Sequence, residues 1–125
     1  MKRKRPEHAL QVQVLDYLAF FGRRDLFWFA VPNGELRHVN VGLRLKAEGV
    51  RKGVPDMCFL LDHGRTGWLE LKAKGGSLSD EQIGFGHRAE RLGHYWACAR
   101  SIDEAVKIFK CWNVLREHEQ SLRAS

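Results

Sequence analysis

Apolar residues first recur at helical spacing. After Pro6, which a first helical turn tolerates, Leu10, Val14, Tyr17, Leu18 and Phe21 carry a rhythm that stops at Gly22, predicting a first helix. On it Glu7, Gln11, Val14 and Leu18 form one stripe, so Glu7 sits on the flank that becomes core a turn later. Leu26 to Val31 is continuously apolar and aromatic, which predicts a buried strand closed by a Pro32-Asn33-Gly34 turn. Val39, Leu43, Leu45 and Ala47 return to helical spacing before Gly49. Two apolar strands follow at 56–61 and 68–73, joined by the turn-rich 62–67, and should pair as an antiparallel hairpin. Ser79 with Gln82 reads as a capping box opening a helix to about Leu92, with Gln82, Phe85, Ala89 and Leu92 on one stripe. Gly84 and Gly86 weaken this helix, and their expected use is close packing on the sheet or room for a ligand backbone. A strand at 95–99 and a second capping box at Ser101 to Glu104, leading a helix through Ala105, Ile108, Phe109 and Trp112, complete the pattern. It predicts a single α/β domain with a central mixed sheet flanked by helices.

The hairpin carries charges where strands normally hide apolar groups. Asp56 opens the first strand, and Glu70 and Lys72 lie inside the second; such groups are costly to bury unless something compensates them. By the period of two, Asp56 meets the other pair when it stands opposite Lys72 with Cys58 opposite Glu70, whereas a one-residue slip sends it to the other face. A hard divalent cation would compensate the carboxylates, and it suits phosphodiester hydrolysis, which needs an activated water and neutralised phosphate charge. Asp56 and Glu70 are the expected direct ligands, with the Leu71 carbonyl as a third, and Lys72 is placed to hold the attacking water or the developing anion. The bland alternative is an ordinary Glu70–Lys72 ion pair on a solvated sheet face. Glu7 is, on local grounds, either a helix N-terminal charge or a group aimed at the site, and capping alone accounts for Gln82.

Composition narrows the partners. The 125 residues are 44% hydrophobic and carry a formal charge of +6, enough for one core and biased toward polyanions. Arg37, Arg44, Lys46, Arg51 and Lys52 are candidates for a phosphate-contacting rim beside the acidic centre. The basic start Met1 to Arg5 leads into no apolar segment, so neither a secretory signal nor a membrane anchor is expected, and the expected setting is cytoplasmic. Cys58, Cys98 and Cys111 are widely spaced and read as small core residues, and the six scattered histidines argue against zinc.

Glu7, the Pro32-Asn33-Gly34 turn, Gly53-Val54-Pro55-Asp56, Glu70-Leu71-Lys72 and Leu78-Ser79-Asp80-Glu81-Gln82 together resemble the VRR-NUC family of the PD-(D/E)xK nuclease superfamily, over roughly residues 7–110. The resemblance implies a restriction-endonuclease-like fold in a nuclease domain at 6–116, between a basic tail at 1–5 and a polar tail at 117–125. It implies Mg2+ or Mn2+ dependence and functional positions at Glu7, Asp56, Glu70, Lys72 and Gln82, with Glu7 in the outer metal shell and Gln82 a site residue that also caps. Small stand-alone members look like bacterial or phage proteins that act on branched DNA, including Holliday junctions. A homodimer or larger even-numbered assembly is then expected, because one domain offers one centre and symmetrical junction cutting needs two. Trp28, Trp96 and Trp112 are candidates for its interface. The alternatives are a non-catalytic nucleic-acid-binding module with a nuclease fold, or an RNA-directed nuclease.

Overall fold

A computed structural model describes residues 5–33 and 39–116. Residues 1–4, 34–38 and 117–125 lie outside the described residues, and with them the polar tail, the end of the Pro32-Asn33-Gly34 turn, Arg37, and all of the expected basic tail at 1–5 except Arg5, which opens the first helix. The elements run α1 (Arg5–Phe21), β1 (Phe27–Ala30), α2 (Val39–Ala47), β2 (Met57–Leu60), β3 (Thr66–Leu71), α3 (Asp80–Arg91), β4 (Tyr95–Ala99) and α4 (Ile102–Cys111). The strands form one sheet in the order β1-β2-β3-β4. The first two pairings are antiparallel and β3–β4 is parallel, giving the mixed α/β sheet that the sequence pattern predicts.

The pleat sorts side chains onto two faces. Met57, Phe59, Leu69, Leu71 and Ala99 share a buried cluster with Leu10, Val14 and Leu18 of α1 and with Ala105 and Phe109 of α4. Cys58, Trp68 and Trp96 are directly opposed on neighbouring strands and therefore point to the other face. There α3 lies on them, with Phe85 edge-on to Trp68 at 5.0 Å between centroids. Gly86 lies flush on Trp96, since a Cβ at that position would fall 2.8 Å from the indole ring. Gly84 has no atom of the described residues within 4 Å of such a Cβ, so close packing among them explains one of the two helical glycines and not the other. The end of α1 is stitched to the last described segment by a Gly22–Leu115 bridge and by the Arg116 amide donating to Phe21 O at 2.8 Å.

Several expectations are corrected. The hairpin register is shifted by two residues: Cys58 stands opposite Trp68, and continuing the ladder puts Asp56 opposite Glu70, not Lys72. The cause is the turn. His63 and Gly64 both adopt left-handed conformations (φ 66 and 73), so the chain reverses within Asp62–Gly64, and Leu61 N already donates to Arg65 O at 2.9 Å. Strand β3 starts at Thr66, with Gly67 inside it because the Trp112 ring occupies the space a Cβ would need. A shift of two preserves the face, so the charged residues stay on one side. Strand β1 is not buried; it is an edge strand with Phe27 60% and Phe29 41% exposed, and only its Trp28 side packs on the core. Leu92 and Cys111 are likewise exposed, so the first leaves the α3 stripe and the second is no core residue. At α4 the capping box is half formed: Ser101 Oγ accepts from Glu104 N, but Glu104 Oε1 accepts from Arg100 N at 2.7 Å.

Candidate active site

Asp56 is delivered by a tightly held loop. Gly53 has φ +88, and a Cβ on it would lie 2.6 Å from the backbone carbonyl of Glu81, so this position needs glycine for both conformation and close approach to α3. Asn33 Nδ2 donates to Val54 O at 2.9 Å, Val31 N donates to Asp56 O at 2.8 Å, and Pro55 is fully buried. Against this support Asp56 Oδ2 accepts the Leu71 amide at 2.8 Å. The bond spans the hairpin and fixes the carboxylate beside the strand that carries Glu70.

Glu70 lies within β3, between β2 and β4, and is only 4% exposed. A charge that deep is unfavourable unless hydrogen bonds and opposite charges meet it. Gln82 Nε2 donates to Glu70 Oε2 at 3.1 Å. The other end of the same amide completes the cap of α3: Gln82 Oε1 accepts Ser79 N at 2.8 Å, and Ser79 Oγ accepts Gln82 N at 3.1 Å. One side chain thus fixes where the helix begins and how the buried carboxylate points. Cys98 stands opposite Glu70 on β4. Burial raises its thiol pKa; Arg100 and Lys72 oppose that shift and Glu70 adds to it, so the thiol senses the charges of the site. Lys72 follows directly after β3, its amide donating to Ala99 O at 3.1 Å.

These residues meet in one cleft of about 630 Å³, walled by Glu7 and Gln11 from α1, Asn33 and Val54 from the loops, Asp56, Glu70, Lys72 and Lys52, and Gln82 from α3. The structure therefore brings all five expected side chains, Glu7, Asp56, Glu70, Lys72 and Gln82, around a single open space. Two contributors were less legible. In the stripe Gln11 is only a step between Glu7 and Val14, yet it forms cleft wall, and Asn33 supports the Asp56 loop in addition to its place in a turn.

A solved structure described as a VRR_NUC domain protein superposes on this chain with a TM-score of 0.65 and 16% identity, covering 85% of this chain and 86% of that one. The fold is that of a VRR-NUC domain. No family model and no curated protein matches the sequence, so the likeness rests on three-dimensional form.

Within this VRR-NUC fold the donor set can be tested against a cation. Among the described residues no three His, Cys, Asp or Glu side chains come together as a metal-holding group. Glu7 therefore lines the cleft without completing a three-carboxylate cage, a position suited to contact through water. Two carboxylates, each steadied on one oxygen by an N–H donor, fit a hard cation such as Mg2+, which binds through one or two carboxylates and retains several waters; Leu71, the expected third ligand through its carbonyl, is not among the residues that line the cleft. They do not fit zinc, which prefers four protein ligands in structural sites and is commonly held by His or Cys.

Proposed function

We propose that this protein is a divalent-metal-dependent DNA endonuclease. The observation that carries the reading is Glu70: a carboxylate almost fully buried in the sheet, gripped by Gln82, beside Asp56 and open to a cleft that also holds Lys72. A fold stabilised for its own sake would gain by replacing Glu70 with an apolar residue, so its presence favours a functional role. Asp56 and Glu70 would hold Mg2+ or Mn2+, which supplies charge neutralisation and an acidified water when bound. Lys72 orients the attacking water and stabilises charge growing on the phosphate, Gln82 holds Glu70 in its rotamer, and Glu7 orders water on the far wall. The test is a cleavage panel of single-stranded, duplex, flap, splayed and four-way DNA with either cation. No cleavage of any substrate, together with no carboxylate-dependent magnesium or manganese heat in isothermal titration, would leave a nucleic-acid-binding module with a nuclease fold.

The finer reading is selectivity for branched DNA, including four-way junctions, by a homodimer in a bacterial or phage-infected cell. Paired cutting needs two centres; of the expected interface residues Trp28 and Trp112 pack on the core and Trp96 lies under α3, whereas the exposed Phe27 and Phe29 on the edge strand and Leu60 beside them offer apolar surface that a second copy would cover. Light scattering checks this, because a monomer both free and on junction DNA is incompatible with paired cutting. Matched RNA substrates separate a DNA enzyme from an RNA-directed one.

A further inference from the structure

The acidic cleft does not end at Lys52. A second groove of about 360 Å³ shares Lys52 and Val54 with it and runs between the 51–54 loop and α3. A third depression shares Gly84 and Arg88 with the second and continues to His87 and Arg91. We infer that this row of adjoining grooves holds an unstacked single-stranded DNA segment next to the phosphate to be cut. The inference rests on the nuclease reading above.

Three features of the groove point to that ligand. Its floor is Val54 and Phe85, and its rim carries Arg51, Lys52 and Arg88, against which Glu81 is the acidic member. Apolar floor with cationic rim matches the two surfaces of a nucleotide: a base face that stacks on an aromatic ring and a phosphate that pairs with Arg or Lys. The Phe85 ring is anchored edge-on to Trp68, so it offers a fixed platform. A duplex turns its base faces inward and cannot bring them to such a floor, which favours a single strand.

Gly84 supplies the second feature. It lies in α3 without a left-handed φ and, among the described residues, with nothing within 4 Å of a would-be Cβ, so neither backbone conformation nor packing within the described residues calls for glycine there. It weakens the helix by about 1 kcal/mol relative to alanine, and what the fold gets in return is an open passage between the second and third depressions. The third feature is direction. Gly84, Arg88 and Arg91 share one helix face, and Arg88 and Arg91 lie roughly 9 and 14 Å along the axis from Gln82, so the cations recede from the acidic centre in a line.

Fluorescence anisotropy of labelled oligothymidine, and of a duplex of equal length, tests the idea without divalent cation, so that binding is read apart from cleavage. Arg88→Ala should weaken single-strand binding about tenfold and lower the salt slope by roughly 0.7. Gly84→Leu, which fills the passage and keeps every charge, should weaken it by a similar factor with the slope unchanged, while leaving duplex affinity alone; circular dichroism checks that both variants fold. Unchanged oligothymidine affinity in both variants overturns the inference, as do equal losses on duplex. Tighter groove-dependent binding of oligouridine than of oligothymidine overturns the assignment to DNA. A wild-type protein that binds single strands through the groove yet cuts nothing upholds the track and removes the nuclease reading. Cleavage with binding indifferent to both variants does the reverse.

Discussion

The two glycines of α3 should respond oppositely to the same substitution. In Gly86→Ala the new methyl would sit 2.8, 3.0 and 3.1 Å from three atoms of the Trp96 ring, closer than carbon atoms pack. Trp96 is a rigid bicycle within β4, and α3 is tied at its start by Gln82 to Ser79 and Glu70 and by the close approach of Gly53 to Glu81, so neither partner steps back freely. Overpacking of this kind costs about 1–3 kcal/mol, and with neither partner free to step back the upper part of that range, about 2–3 kcal/mol, applies; against a helix-propensity gain of about 1 kcal/mol it leaves a net loss of about 1–2 kcal/mol. Gly84→Ala meets no atom of the described residues and keeps only the gain, so it should stabilise by about 0.5–1 kcal/mol. For a chain of this size 1 kcal/mol moves Tm by about 4 °C, so the variants should melt roughly 6–12 °C apart on opposite sides of the parent. Urea titration and differential scanning calorimetry measure this directly. If Gly86→Ala gains stability as Gly84→Ala does, Trp96 yields at no cost, and the account of α3 as a helix pressed onto the sheet is wrong. Gly86→Ala should also slow cleavage, because any lift of α3 reaches Glu70 through Gln82.

Asp56→Ala and Glu70→Ala should each abolish metal-dependent cleavage while circular dichroism stays native, and Lys72→Ala should retain cation binding but slow turnover; full cleavage by folded Glu70→Ala would remove the site assignment. Gln82→Glu keeps an acceptor for Ser79 N but replaces the donor to Glu70 with a second carboxylate, so α3 should persist while magnesium affinity and cleavage change, and a variant indistinguishable from the parent would show that the Gln82–Glu70 bond is idle. Alkylation at pH 8, followed by mass spectrometry, should label exposed Cys111 first and buried Cys58 last. Burial pushes the Cys58 thiol up to about 11, and since a thiol raised in the folded state favours folding below its unfolded pKa, its contribution should be lost as pH climbs from about 9 to 11. Rapid labelling of Cys58 in the folded protein at pH 8 would contradict its placement.

The helices were legible because their apolar stripes and caps are local: Ser79 and Gln82 announce the start of α3 three residues apart. The polar residues of the cleft were legible because Asp56 and Glu70 interrupt apolar strands. The hairpin register was not, since a pleat fixes only odd against even, and the count was decided by two left-handed residues, His63 and Gly64, one of them no glycine. The exposure of Phe27 and Phe29 was hidden for a different reason: an apolar run says that a strand is possible, not whether a helix will cover its outer side. Glu104 chose the Arg100 amide over the one the capping box assigns it, a choice made by side-chain reach after the chain has turned. The dual grip of Gln82 depends on a neighbour twelve residues away and appears only when α3 is laid on the sheet.

The Leu71 and Lys72 amides, adjacent in the chain, bond in different directions: Leu71 to Asp56 within the hairpin, Lys72 to Ala99 across the parallel pairing. A hairpin closes in microseconds, whereas parallel pairing must wait for the intervening helix and its longer loop to close. The centre is then assembled in two acts, with Asp56 latched to its strand before α3 brings Gln82 and completes the cleft. A chain emerging from the ribosome would carry the paired carboxylates before it had walls to confine a substrate, so activity should appear only with the last docking event. Pulse-labelled hydrogen exchange reads the sequence of events from these two neighbours: protection at Leu71 should precede protection at Lys72, and simultaneous protection would mean that the sheet condenses as one unit.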